Sequence, residues 1–141
     1  MSYFLLKIVW KFWHPRSEGA FVALWCRDKL LVVKHSYKRG FCLPGGGLHA
    51  NETYLEAAAR ELREETGVNV QHDQLSEPIF FHLTDEGKDD HVGCFEYKLV
   101  GEPPITNIDC REIVWSAFVD PDTLPGHECN TLLKIYLEQL E

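Results

Sequence analysis

Residues 46–68 read GGLHANETYLEAAARELREETGV, and the stretch holds a conflict that packing alone does not explain. Stepping about 100° per residue from Leu55 puts Leu55, Ala58, Ala59, Leu62 and Thr66 on one side, the core face of an amphipathic helix. Glu61, Glu64 and Glu65 share an arc of about 100° beside that face. Like charges at i, i+3 and i+4 repel, by about a few tenths of a kcal/mol per pair in an isolated helix. Two arrangements relieve them. One is a solvated acidic face balanced by Arg60 and Arg63. The other is a bound multivalent cation, and an oxygen-only donor set without Cys or His at matching spacing suits Mg²⁺ or Mn²⁺ better than zinc. Asn51 is expected to cap this helix through its side-chain oxygen, Glu52 to add an acid to the first turn, and Gly67 to stop it. Upstream, Pro44 precedes Gly45, Gly46 and Gly47, a loop whose backbone can approach a ligand closely before it enters the helix.

Further out, Ala20 to Cys26 and Leu30 to His35 are β-branched and aromatic runs on either side of Arg27, Asp28 and Lys29, which predicts a hairpin. Phe41 to Leu43 reads as a third short strand. Pro78 to Leu83, His91 to Val100 and Ile113 to Val119 have strand character, joined by polar loops at Thr84 to Asp90 and Gly101 to Arg111. Cys129, Leu132, Leu133, Tyr136, Leu137 and Leu140 follow helical spacing to the C-terminus. Strands, helix, strands, helix predict an α/β fold, a mixed sheet with helices packed against it.

The chain has 141 residues, 45% of them apolar, enough for one domain over residues 1–141 with a core that needs no staples. Residues 1–17 form an apolar N-terminal extension. Its run from Tyr3 to Trp13 contains Lys7 and Lys11 and is about half of the roughly 20 residues a membrane-spanning helix needs. It reads as a segment packed on the domain, on a second subunit as in a homodimer, or on a membrane surface, and it does not span. Net charge is −8, a field that disfavours nucleic acid as a bulk-charge partner. Cys26, Cys42, Cys94, Cys110 and Cys129 show no C-x-x-C spacing, so they read as reduced thiols of a cytoplasmic protein.

The quoted stretch resembles the Nudix hydrolase signature, G-x5-E-x7-R-E-U-x-E-E-x-G-U with U a bulky apolar residue. It matches at Gly46, Glu52, Arg60, Glu61, Leu62, Glu64, Glu65, Gly67 and Val68. From average residue usage the chance expectation is on the order of 10⁻⁷. The likeness extends less sharply over about residues 18–125 and implies a Nudix-type α/β/α sandwich around a mixed sheet. It also implies a pyrophosphatase that hydrolyses a nucleoside diphosphate linked to X: a nucleoside triphosphate, a nucleotide sugar or ADP-ribose. By the same resemblance Glu61, Glu64 and Glu65 are the inner ligands of Mg²⁺ or Mn²⁺. Arg60 then orients a glutamate, Glu52 serves the same scaffold, and Gly45, Gly46 and Gly47 shape a loop that contacts metal or phosphate.

The general base lies either within the signature or on a distant element. Glu96, which alternates with Cys94 and Lys98 opposite Phe95, Tyr97 and Leu99, is the first candidate, with Glu86 and Glu112 as rivals. Lys34, His35, Lys38 and Arg39 read either as a phosphate-facing patch or as a solvated turn. Phe80, Phe81, Phe95 and Tyr97 read as core or as a base-stacking platform. His82, His91 and His127 lack ligand spacing and receive no role. The alternative functions are removal of pyrophosphate from RNA 5′ ends and a non-catalytic nucleotide-binding module.

Overall fold

A computed structural model describes residues 16–84, 89–108 and 112–141. The N-terminal run Tyr3 to Trp13, Glu86 and Cys110 lie outside them.

Strand β1 (Arg16–Cys26) turns through Arg27 and Asp28 into β2 (Lys29–His35). Both turn residues have positive φ, 53° and 64°, the conformation of a two-residue hairpin whose twist matches its strands. β3 (Gly45–Gly47), helix α1 (Tyr54–Thr66), β4 (Ile79–Leu83), β5 (Asp89–Leu99), β6 (Ile113–Val119) and helix α2 (Thr131–Gln139) follow. The strands form one 6-stranded sheet in the order β4-β5-β1-β2-β6, with β3 paired to β1. It is mixed, because β1 runs parallel to β5 and antiparallel to β2 and β3.

Alternation along β1 divides the core in two. Ala20, Val22 and Leu24 pack with Ala57, Ala58 and Leu62 of α1. Ala23 on the opposite face packs with Leu132, Leu133 and Tyr136 of α2. The expected α/β/α sandwich is thus the observed architecture. Each buried Leu contributes about 1.5–3 kcal/mol relative to exposure, so the two clusters hold both helices firmly to the sheet.

Three local expectations are corrected. Phe41 to Leu43 is not a strand: Cys42 and Phe41 make single bridges, to Val33 and Cys129 respectively. The glycine run read as a loop is instead β3, its three residues paired with Gly19, Ala20 and Phe21. Thr53, not Asn51, caps α1. The Thr53 Oγ1 accepts from Glu56 N at 3.1 Å and Glu56 Oε1 accepts from Thr53 N at 3.0 Å, a reciprocal capping box. Asn51 stands in the turn before it with φ 63°, and Glu56 rather than Glu52 is the acid of the first turn. Gly67 ends the helix with φ 77°, its N–H donating to Arg63 O at 2.8 Å.

The C-terminal helix starts at Thr131, where Asn130 Oδ1 accepts from Leu133 N at 2.9 Å. Cys26, Cys42, Cys94 and Cys129 are buried thiols outside any disulfide, and burial pushes the Cys94 thiol up to about 12. No helix among the described residues is long and apolar enough to cross a membrane.

Candidate active site

Two elements meet at the site: α1 lies across the sheet with its acidic arc against the glycine strand. Glu61 is 7% exposed and Glu65 1%, whereas Glu64 stands at the rim with 52% of its side chain exposed. The reason these carboxylates can come so close to the sheet is the missing side chain opposite. A Cβ on Gly46 would lie 2.8 Å from Glu61 Oε1, and one on Gly45 would lie 2.3 Å from Ala20 O. The Gly45 N–H donates to Glu65 Oε1 at 2.7 Å. Gly47 has no such restriction on its Cβ side, but its carbonyl accepts from Arg60 Nη2 at 3.0 Å.

Arg60 organises the rest. Its Nε donates to Glu52 Oε2 at 2.7 Å and its Nη2 to Glu52 Oε1 at 2.9 Å, a bidentate clamp. Its Nη1 donates to Glu61 Oε1 at 2.9 Å and to Glu64 Oε2 at 3.1 Å. Glu52 also accepts from His49 N at 2.8 Å. Hydrogen bonds from Arg60 hold the Glu52 carboxyl down at about 2, and the same bonds raise Arg60 further. Glu61 moves the other way: burial raises it first of all, Arg60 partly offsets this, and the carboxylates of Glu112 and Glu64 add to the rise.

Glu65 faces a different set. His35, 6% exposed at the end of β2, brings Nε2 to 3.9 Å from Glu65 Oε2. One ligand atom from each of His35, Glu65 and Glu112 lies within 4.8 Å of the other two. Tyr37 OH donates to Glu112 Oε1 at 3.3 Å, and the Tyr37 ring lies 5.1 Å from that of His35. Among the described residues Glu61, Glu64 and Glu65 do not form such a tight trio; Arg60 Nη1 instead holds one oxygen of Glu61 and one of Glu64. The oxygen-rich donor set nevertheless fits a hard cation, and the Gly46 cradle gives the buried Glu61 room.

The fold brings together Glu52, Arg60, Glu61, Glu64, Glu65, Gly45, Gly46 and Gly47 from the sequence-derived set. It does not bring Glu96. That side chain lies on the α2 face of the sheet, where Glu96 Oε2 accepts from Tyr136 OH at 2.5 Å and Tyr136 OH accepts from Trp25 Nε1 at 2.8 Å. Strand alternation sets the face: Phe95 packs against α1, so its neighbour turns away. Glu96, expected as the first candidate base, is thus turned away from the α1 carboxylates. The basic patch also divides, since His35 is buried beside Glu65 while Lys34 Nζ sits 4.3 Å from the centroid of the Phe41 ring. Tyr37 is a residue that sequence reasoning passed over, and no spacing rule links it to Glu112.

The fold agrees with that of known proteins. The NUDIX domain family matches residues 15–135. The chain superposes on a MutT NUDIX hydrolase from Burkholderia pseudomallei with TM-score 0.73 at 18% identity, covering 89% of this chain and 98% of that one. It superposes on the E. coli dihydroneopterin triphosphate pyrophosphohydrolase with TM-score 0.68 at 16% identity, covering 89% and 94%. An RNA pyrophosphohydrolase of Xylella fastidiosa (strain 9a5c) is 42% identical over 55 residues, 38% of this chain and 29% of that relative. A match over most of the chain, with the sandwich fold and the complete helix signature, means that the chain belongs to the NUDIX domain family.

Proposed function

We propose that the protein is a divalent-metal-dependent pyrophosphohydrolase that cleaves the diphosphate of a small nucleoside diphosphate linked to X. The carrying observation is the α1 acidic arc, with Glu61 and Glu65 buried against a glycine strand that leaves room for them. Carboxylates buried side by side repel one another and are costly to ionise, so such an arc suits a further positive partner beside Arg60. Glu61, Glu64 and Glu65 would hold Mg²⁺ or Mn²⁺, which when bound neutralises phosphate oxygens and acidifies water.

The chain's own groups do the rest. Arg60 fixes the rotamers of Glu61 and Glu64 and is itself anchored by Glu52 and the Gly47 carbonyl. Arg60 and Glu52 are therefore positioning residues. Glu112, beside Glu65 and His35, takes the place of Glu96 as proton acceptor for the attacking water, geometry being the first requirement of a base. The setting is the cytoplasm, and a homodimer is the assembly to test by sedimentation.

A second reading, removal of pyrophosphate from RNA 5′ ends, is favoured by the 42% identity over 55 residues to an RNA pyrophosphohydrolase. The net charge of −8 weighs against it. Phosphate and pyrophosphate release is measured with Mg²⁺ on nucleoside triphosphates, nucleotide sugars, ADP-ribose and 5′-triphosphorylated RNA, beside Glu64→Gln and Glu65→Gln. Turnover of a small nucleotide that both variants abolish supports the proposal. Turnover of RNA alone favours the second reading. Equal inertness of wild type and variants on the whole panel leaves a nucleotide-binding module.

A further inference from the structure

His82 and His91 have no ligand spacing in sequence, but the sheet register sets them directly opposite each other on β4 and β5. Asp89 precedes His91 by two positions and so shares its face. That face is the α1 side, because a Cβ on Gly93, two residues further along, would meet the Tyr54 ring at 3.0 Å. The two imidazoles stack with centroids 4.4 Å apart and planes 14° from parallel. Both Nε2 atoms point at one oxygen: His91 Nε2 is 3.4 Å from Asp89 Oδ1, and His82 Nε2 is hydrogen-bonded to that same atom. One ligand atom from each of the three residues lies within 4.8 Å of the others. Side-chain exposures of 53% for His82, 45% for Asp89 and 33% for His91 leave the outer side open to water.

We propose that His82, Asp89 and His91 form a second cation site, for a borderline divalent ion of the zinc class, with water completing the coordination. Two imidazole nitrogens and one carboxylate oxygen select such an ion over Mg²⁺, which prefers an all-oxygen shell. Three protein ligands plus water is the pattern of an open zinc site. None of the three residues belongs to the α1 carboxylate set, whose oxygen donors call for a different metal. An ion here joins β4, the end strand of the sheet among the described residues, to β5.

The test titrates Zn²⁺ calorimetrically into the full chain in saturating Mg²⁺, with His82→Ala, Asp89→Asn, His91→Ala and, as a control, His127→Ala. Wild type and His127→Ala are expected to bind one Zn²⁺ and to gain Tm with it. The three site variants lose both effects while their Mg²⁺-dependent hydrolysis stays at the wild-type level. Co²⁺ added to the unaltered chain supplies a readout that needs no variant: visible d–d bands with nitrogen-ligand character are expected. Absence of Zn²⁺ binding by the wild type, absence of those bands, or equal Zn²⁺ binding by a folded His82→Ala/His91→Ala chain overturns the proposal and identifies the trio as a plain hydrogen-bonded cluster.

Discussion

A single methyl group on Gly46 would meet Glu61 Oε1 at 2.8 Å, so Gly46→Ala should displace that carboxylate without replacing a charged residue. Turnover is expected to fall by about tenfold or more, the effect of roughly 1.4 kcal/mol of lost transition-state stabilisation, with the circular dichroism spectrum unchanged. Glu61→Gln, Glu64→Gln and Glu65→Gln each remove a proposed metal ligand and should lower kcat by about 100-fold or more, read in the same release assay. Glu52 tests the scaffold rather than the chemistry. Its carboxyl, held at about 2 by Arg60 against an ordinary 4.5, contributes stability that is present above pH 4.5 and is lost as pH falls toward 2. Urea midpoints measured across that window should show a drop in the wild type and a flatter curve in Glu52→Gln.

At the scale of elements, α1 owes its start to Thr53, whose capping box is a Thr and a Glu three residues apart. Thr53→Ala should cost about 1 kcal/mol in urea unfolding, while Asn51→Gly, which keeps the left-handed turn conformation, should cost less, since Asn51 does not cap α1. Both residues are good cap formers, which is why the sequence alone pointed to the wrong one. The periodicity of α1, its stop at Gly67 and most strand positions were legible because each depends on neighbours along the chain. β3 was not, since three glycines have low strand propensity and pair only because β1 presents its edge to them. The same limit hid the approach of His82 to His91, which is a fact of register.

For the molecule as a whole, a charge of −8 repels a long polyanion more strongly than a small nucleotide. At fixed free Mg²⁺, KM for a small nucleotide should change little with added KCl, whereas an RNA-end enzyme would show a steep dependence. The placement of Glu96 on the α2 face belongs to this scale too, because only the assembled sheet decides which helix that carboxylate meets. One more consequence comes from β1, which is bonded to β2, β3 and β5 yet supplies none of the groups assigned to catalysis. In deuterated solvent its central amides should be the last to exchange. The most slowly breathing segment would then be one that carries no carboxylate of the acidic arc, a keel to which the glutamates on the neighbouring helix are merely moored.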